Sequence, residues 1–68
     1  MAPFETLSAR EIDIATSIIK GISLNEIAAL LKISNSTVGT YKSRIFTKLN
    51  IKNIAELIEM GRVYNVIN

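Results

Sequence analysis

Apolar positions along this chain recur every three or four residues. Ile14, Ile18 and Ile22 form one such series, and Ile27, Leu30 and Leu31 form another. Val38, Ile45 and Leu49 form a third. That spacing is the period of an amphipathic helix and not the alternation of a strand. The twelve isoleucines favour strand by propensity, because β-branching stiffens χ1. The period overrides that preference. Start signals agree with it. Ser8-Ala9-Arg10-Glu11 and Ser23-Leu24-Asn25-Glu26 have the form of capping boxes, with Glu at N3 reaching back to the cap. Asn53-Ile54-Ala55-Glu56 repeats the pattern with an Asn cap, and Ser34 caps a further helix with Thr37 at N3. Gly21 after Lys20 marks a stop. The pattern predicts helices over 9–20, 24–31, 35–49 and 54–61. The fold class is all-α, a compact four-helix domain. Residues 1–6 read as a short N-terminal arm, docked by Phe4 and Leu7, and 7–68 as one domain. The segment Val63–Asn68 receives no element.

Only Lys32-Ile33-Ser34 separates the second and third helices. So short a turn forces the two to cross at a large angle, which is the helix-turn-helix arrangement. Ala28 is small where the helices approach most closely. Ile27, Leu31, Ile33 and Val38 can close the core around the turn. The alternative on this pattern alone is an ordinary helical hairpin in a bundle.

Composition narrows the chemistry. The 68 residues make one small domain with 49% apolar residues and a mean hydropathy of +0.31. Cys and His are both absent. A disulfide framework, a structural zinc site and a hydrolase triad built on a His base are therefore excluded. Glu26 and Glu56 are explained as capping residues, and Asp13 has neither a nucleophile nor a metal set beside it. No catalytic residue, metal, cofactor or small-molecule pocket is expected. The longest apolar run is five residues, Ile27–Leu31, far short of the ~18 needed to span a membrane. No charged segment followed by an apolar stretch opens the chain, so a signal peptide is not expected. The sequence reads as soluble and cytoplasmic.

Charge is distributed unevenly. The net charge is +2, from 8 basic and 6 acidic residues. The window from Lys32 to Lys52 holds Lys32, Lys42, Arg44, Lys48 and Lys52 and no acid. Such a patch suits a phosphate backbone, through counterion release. A solvated basic face is the bland alternative. Unrolled as a helix, 35–49 places Val38, Ile45 and Leu49 on one stripe with Tyr41 beside it. Ser36, Thr40, Ser43 and Thr47 lie opposite, with Thr37, Arg44 and Lys48 along one edge. Short hydroxyl side chains can meet base edges, and cations on the rim can meet phosphates. Ser and Thr are poor helix formers, so this face costs helix stability. Helix N-termini attract phosphate as well, near Leu24–Asn25 behind Ser23 and near Asn35–Thr37 behind Ser34.

Several segments resemble the LuxR/FixJ-type helix-turn-helix domain. They are Leu7-Ser8-Ala9-Arg10-Glu11, Gly21-Ile22-Ser23-Leu24-Asn25-Glu26-Ile27-Ala28, Ile33-Ser34-Asn35-Ser36-Thr37-Val38 and Lys48-Leu49-Asn50-Ile51. Thr37-Val38-Gly39-Thr40-Tyr41-Lys42-Ser43-Arg44-Ile45 is similar to the output domains of two-component response regulators. The likeness runs from Leu7 to Gly61 with its spacing intact. It implies a four-helix domain that binds double-stranded DNA and regulates transcription, with RNA polymerase as a further candidate partner. It implies base contacts from Gly39, Thr40 and Ser43, which join Ser36 and Thr47 of the polar face. It implies phosphate contacts from Thr37, Lys48 and the Ser23 end of the second helix, beside Asn35, Lys42 and Arg44. It also implies a homodimer through the fourth helix, at Ile54, Leu57, Ile58, Met60 and Val63; alternatively these finish the monomer core. Two positions depart from the family, which often has Lys where this chain has Gly39 and Asn25. The chain carries no receiver domain with a phosphorylatable Asp, and reads as a fragment of a longer regulator or a stand-alone member. Two other readings remain: a sigma-factor-like promoter-reading domain, and a helical adaptor that binds protein.

Overall fold

The computed structural model describes residues 3–64. A single 3-10 turn, Pro3–Thr6, precedes four α-helices. These are α1 (Ala9–Ile19), α2 (Leu24–Leu31), α3 (Asn35–Leu49) and α4 (Ile54–Val63). Among the described residues there is no strand. The predicted N-terminal arm is therefore a turn of helix over 3–6, with Phe4 half-buried and Leu7 buried against the core.

All four caps form, but only one is a full capping box. At Ser8, Oγ accepts from the Glu11 amide at 3.2 Å and the Ser8 amide donates to Glu11 Oε1 at 2.8 Å. At Ser23, the hydroxyl accepts from the Glu26 amide and donates to the Glu26 carboxylate. At Asn53, the side chain accepts from the Glu56 amide at 2.9 Å. Glu56 then overshoots its cap and takes the Lys52 amide at 2.5 Å.

The helix ends are more uniform than Gly21 alone suggests. Gly21, Lys32 and Asn50 all adopt the left-handed conformation, with φ of 90°, 59° and 57°. Each opens a Schellman arrangement, in which the next residue's amide reaches back five positions. Ile22 donates to the Ser17 carbonyl, Ile33 to that of Ala28, and Ile51 to that of Phe46, each at 3.0 Å. The three isoleucines are half-buried against the core. α1, α2 and α3 thus stop by one device, an apolar residue folded back under the last turn.

The core is Leu7, Ile14, Ala15, Ile18, Ile27, Ala28, Val38, Ile45, Leu49 and Leu57. α1 packs against α3 and α4, and α3 packs against α2 across the Lys32–Ser34 turn. Two predicted boundaries move. α1 ends at Ile19, with Lys20 as its cap, and α4 runs past Gly61 to Val63. Gly61 is not a stop. It is buried inside α4, where a β-carbon would stand 2.6 Å from Ile19 Cδ1. Its missing side chain is what lets α4 approach α1.

Candidate nucleic-acid interface

The turn between α2 and α3 leaves one face of α3 without a protein neighbour. Ser36, Thr40, Ser43 and Thr47 are all exposed there. At 100° per residue they fall within an arc of about 60°. None of these four side chains is charged. Thr40 donates its hydroxyl proton to the Ser36 carbonyl at 3.1 Å, which leaves its oxygen lone pairs outward as acceptors. Gly39 lies on one flank of the arc. A β-carbon there would meet nothing within 4 Å, so another backbone or a base could approach it closely.

The opposite flank carries Thr37, Arg44 and Lys48. Thr37 shares its hydroxyl with Ser34 Oγ at 2.8 Å, and its amide donates to the same Ser34 oxygen at 3.1 Å. The side chains at this helix start are therefore held together. Asn35, the first residue of α3, is exposed beside them. Arg44 is exposed and lies 5.9 Å from the centre of the Tyr41 ring, close enough for a cation–π contact. Ser23, at the start of α2, is exposed too, with both roles of its hydroxyl taken by Glu26.

Lys48 is where the structure adds most. Its Nζ lies 2.7 Å from Glu11 Oε1, the same oxygen that accepts from the Ser8 amide. Glu11 is only 3% exposed. The Lys48 ammonium and the Ser8 amide together hold the Glu11 carboxyl below its ordinary range. The sequence marks Glu11 as the closing residue of a capping box. It carries no signal that the same oxygen grips α3 37 positions further on. Only the packing of α1 on α3 brings the two together.

Lys42 and the α4 candidates differ in exposure. Lys42 is half-buried, with its ammonium 5.7 Å from the centre of the Phe46 ring. It sits about 140° around α3 from Thr47, on the same side as Gly39 and about 60° beyond it. Leu57 is wholly buried in the monomer's own core, so it offers no surface to a second copy. Met60 is half-buried and packs on the same core. Ile54, Ile58 and Val63 are exposed at 38%, 41% and 65%; Ile54 and Ile58 are neighbours on one side of α4, and Val63 lies about 140° around the helix from Ile58. A shallow depression of about 310 Å³ lies on the Val63 side, between Ile51, Met60, Val63 and Tyr64, with Glu56 and Glu59 also lining it.

A tight helix-turn-helix with an exposed polar face on its second helix is the architecture of a DNA-binding domain of transcription regulators. Comparison with known proteins gives the same class and narrows it. Residues 5–61 match the family described as bacterial regulatory proteins, luxR family (GerE). The chain belongs to this family. It is 43% identical over 61 residues to Fimbriae Z protein of Escherichia coli strain K12, covering 90% of this chain and 29% of that one. It is 40% identical over 67 residues to the response regulator UvrY of the same strain, covering 98% and 31%. It is 46% identical over 57 residues to the oxygen regulatory protein NreC of Staphylococcus epidermidis, covering 84% and 26%. The chain thus spans between a quarter and a third of the length of these curated relatives.

Proposed function

We propose that α3 enters the major groove of double-stranded DNA and reads base edges with Thr40 and Ser43, joined by Ser36 and Thr47 along the same face. Gly39 lets the helix backbone sit close to the bases. Thr37, Arg44 and Lys48 meet the phosphates on one side of the groove, and the amides behind Ser23 and Ser34 meet them at the helix starts. The observation that carries this reading is the bare hydroxyl face of α3 inside a window with no acid. A surface selected only for solubility would mix both charges. Two copies joined through the exposed Ile54 and Ile58 of α4 would present two α3 helices to half-sites about one helical turn apart. Relatives named as response regulators support a place for this chain as the output part of a longer cytoplasmic regulator, acting on transcription.

Titration of a random-sequence duplex at several salt concentrations tests the reading. Affinity should fall steeply with salt, and Arg44→Ala should lower the slope of log K against log salt by about one. A protein-binding adaptor gives no salt-dependent duplex affinity, so a flat response would remove the DNA reading.

A further inference from the structure

Glu11 is an acid placed close to a surface that must meet a polyanion. Its charge alone works against binding, so its position needs a reason. The geometry supplies one. A single oxygen, Oε1, accepts from the Ser8 amide at 2.8 Å and from Lys48 Nζ at 2.7 Å. Ser8 is the N-cap of α1, and Glu11 is buried, so this oxygen is fixed in place. Lys48 stands on the cationic flank of α3 with Thr37 and Arg44. Its side chain keeps 39% of its surface open to solvent. An ammonium has three donors. One goes to Glu11, and no other partner takes the remaining two among the described residues.

A lysine loses more rotamer freedom than almost any side chain when a ligand pins it. Here the loss is met in the free protein, because a charge-assisted bond already holds the head group. Binding then has less entropy to overcome. We infer that Glu11 is a positioning residue for DNA binding, whose buried carboxylate anchors the Lys48 ammonium so that its two open donors face a backbone phosphate. This rests on the DNA-binding reading above. It adds that α1 takes part through a residue that touches no DNA.

A double-mutant cycle tests it, with a random-sequence 20-base-pair duplex as the probe, read by fluorescence anisotropy across salt concentrations. Glu11→Gln keeps an N3 side chain able to close the capping box, so α1 retains its start. Urea midpoints check that each variant is folded. Lys48→Gln should weaken binding and lower the salt slope by about one. Glu11→Gln should weaken binding about threefold or more while Lys48 is present. It should have no weakening effect in the Lys48→Gln background. Equal weakening in both backgrounds would mean general damage to the fold and overturns the inference. Tighter binding in both would mean that an acid was merely removed from beside a polyanion, and overturns it too. If wild type binds with steep salt dependence but Lys48→Gln changes nothing, the inference fails and the DNA reading stands. If wild type does not bind duplex at all, both fail. A measurement on the unaltered protein guards against a variant that does not fold. The Lys48 ammonium proton signal should exchange with water more slowly than those of the other lysines; exchange at the common rate overturns the anchoring.

Discussion

Gly39 and Gly61 both sit inside helices, and a helix interior penalises each by about 1 kcal/mol relative to Ala. Their surroundings give opposite expectations. A β-carbon at Gly39 meets open space, so Gly39→Ala should raise stability by about 1 kcal/mol in urea melts. A β-carbon at Gly61 meets Ile19 Cδ1 at 2.6 Å and two further Ile19 carbons at 3.1 and 3.2 Å. Overpacking of that kind costs about 1–3 kcal/mol and outweighs the helix gain, so Gly61→Ala should destabilise. Ile19→Val, which removes Cδ1, should recover part of the loss; additive effects would show that the α1–α4 approach is not what Gly61 serves. Glu11 makes a residue-scale prediction for acid. Its carboxyl is held low in the folded state by Lys48 first and the Ser8 amide second. A folded pKa below the unfolded one stabilises fully above the unfolded value, about 4.3. That stability is lost as pH falls through the folded value. Below about pH 4 the wild-type urea midpoint should therefore drop more steeply than that of Glu11→Gln. Parallel curves would show that the pair does not stabilise the fold.

The helices were legible in the sequence because their starts are local. Ser8, Ser23, Ser34 and Asn53 each accept from an amide three residues ahead, and those residues sit side by side in the chain. Their ends were less legible. Glycine marks the left-handed residue after α1, but Lys32 and Asn50 take the same conformation after α2 and α3. The signal common to all three is the isoleucine that follows, at 22, 33 and 51. Its burial depends on tertiary packing that no local pattern contains. Lys32 carries the strain of this arrangement in the turn that aims α3, since a left-handed backbone costs an L-residue with a β-carbon about 1–2 kcal/mol. Lys32→Gly should relieve it and raise stability by about 1 kcal/mol, even after the larger entropy of the unfolded chain is counted. A drop in the urea midpoint would contradict the strain. The same limit explains the dimer assignment. Helix period places Leu57 among apolar neighbours on α4, but only the position of α1 decides which of them turn inward. Leu57 does so completely, while Ile54, Ile58 and Val63 do not.

For the whole molecule, a net charge of +2 conceals five cations and no acid between Lys32 and Lys52. The structure divides even that window. Arg44 and Lys48 border the hydroxyl face, Lys42 lies beyond Gly39 on the other side, and Lys48 is tied to an acid of another helix. The candidate face was legible because a helix wheel needs only the sequence. The tie between Lys48 and Glu11 was not, because it depends on how α1 crosses α3. Among the described residues no helix is long and apolar enough to cross a membrane. The molecule measures 31 × 22 × 20 Å, and α3, about 22 Å long, extends along much of it. A major groove about 12 Å wide admits such a helix, so the concave surface belongs to the partner. The central claim is that α3 reads sequence. Selection of bound sequences from a random duplex library tests it most directly, with wild type beside Thr40→Ala and Ser43→Ala. Wild type should enrich two half-sites about 10 base pairs apart. Each substitution should change the preferred bases within the half-sites and leave their spacing alone. The same motif from all three proteins, or no motif from wild type, would contradict the account.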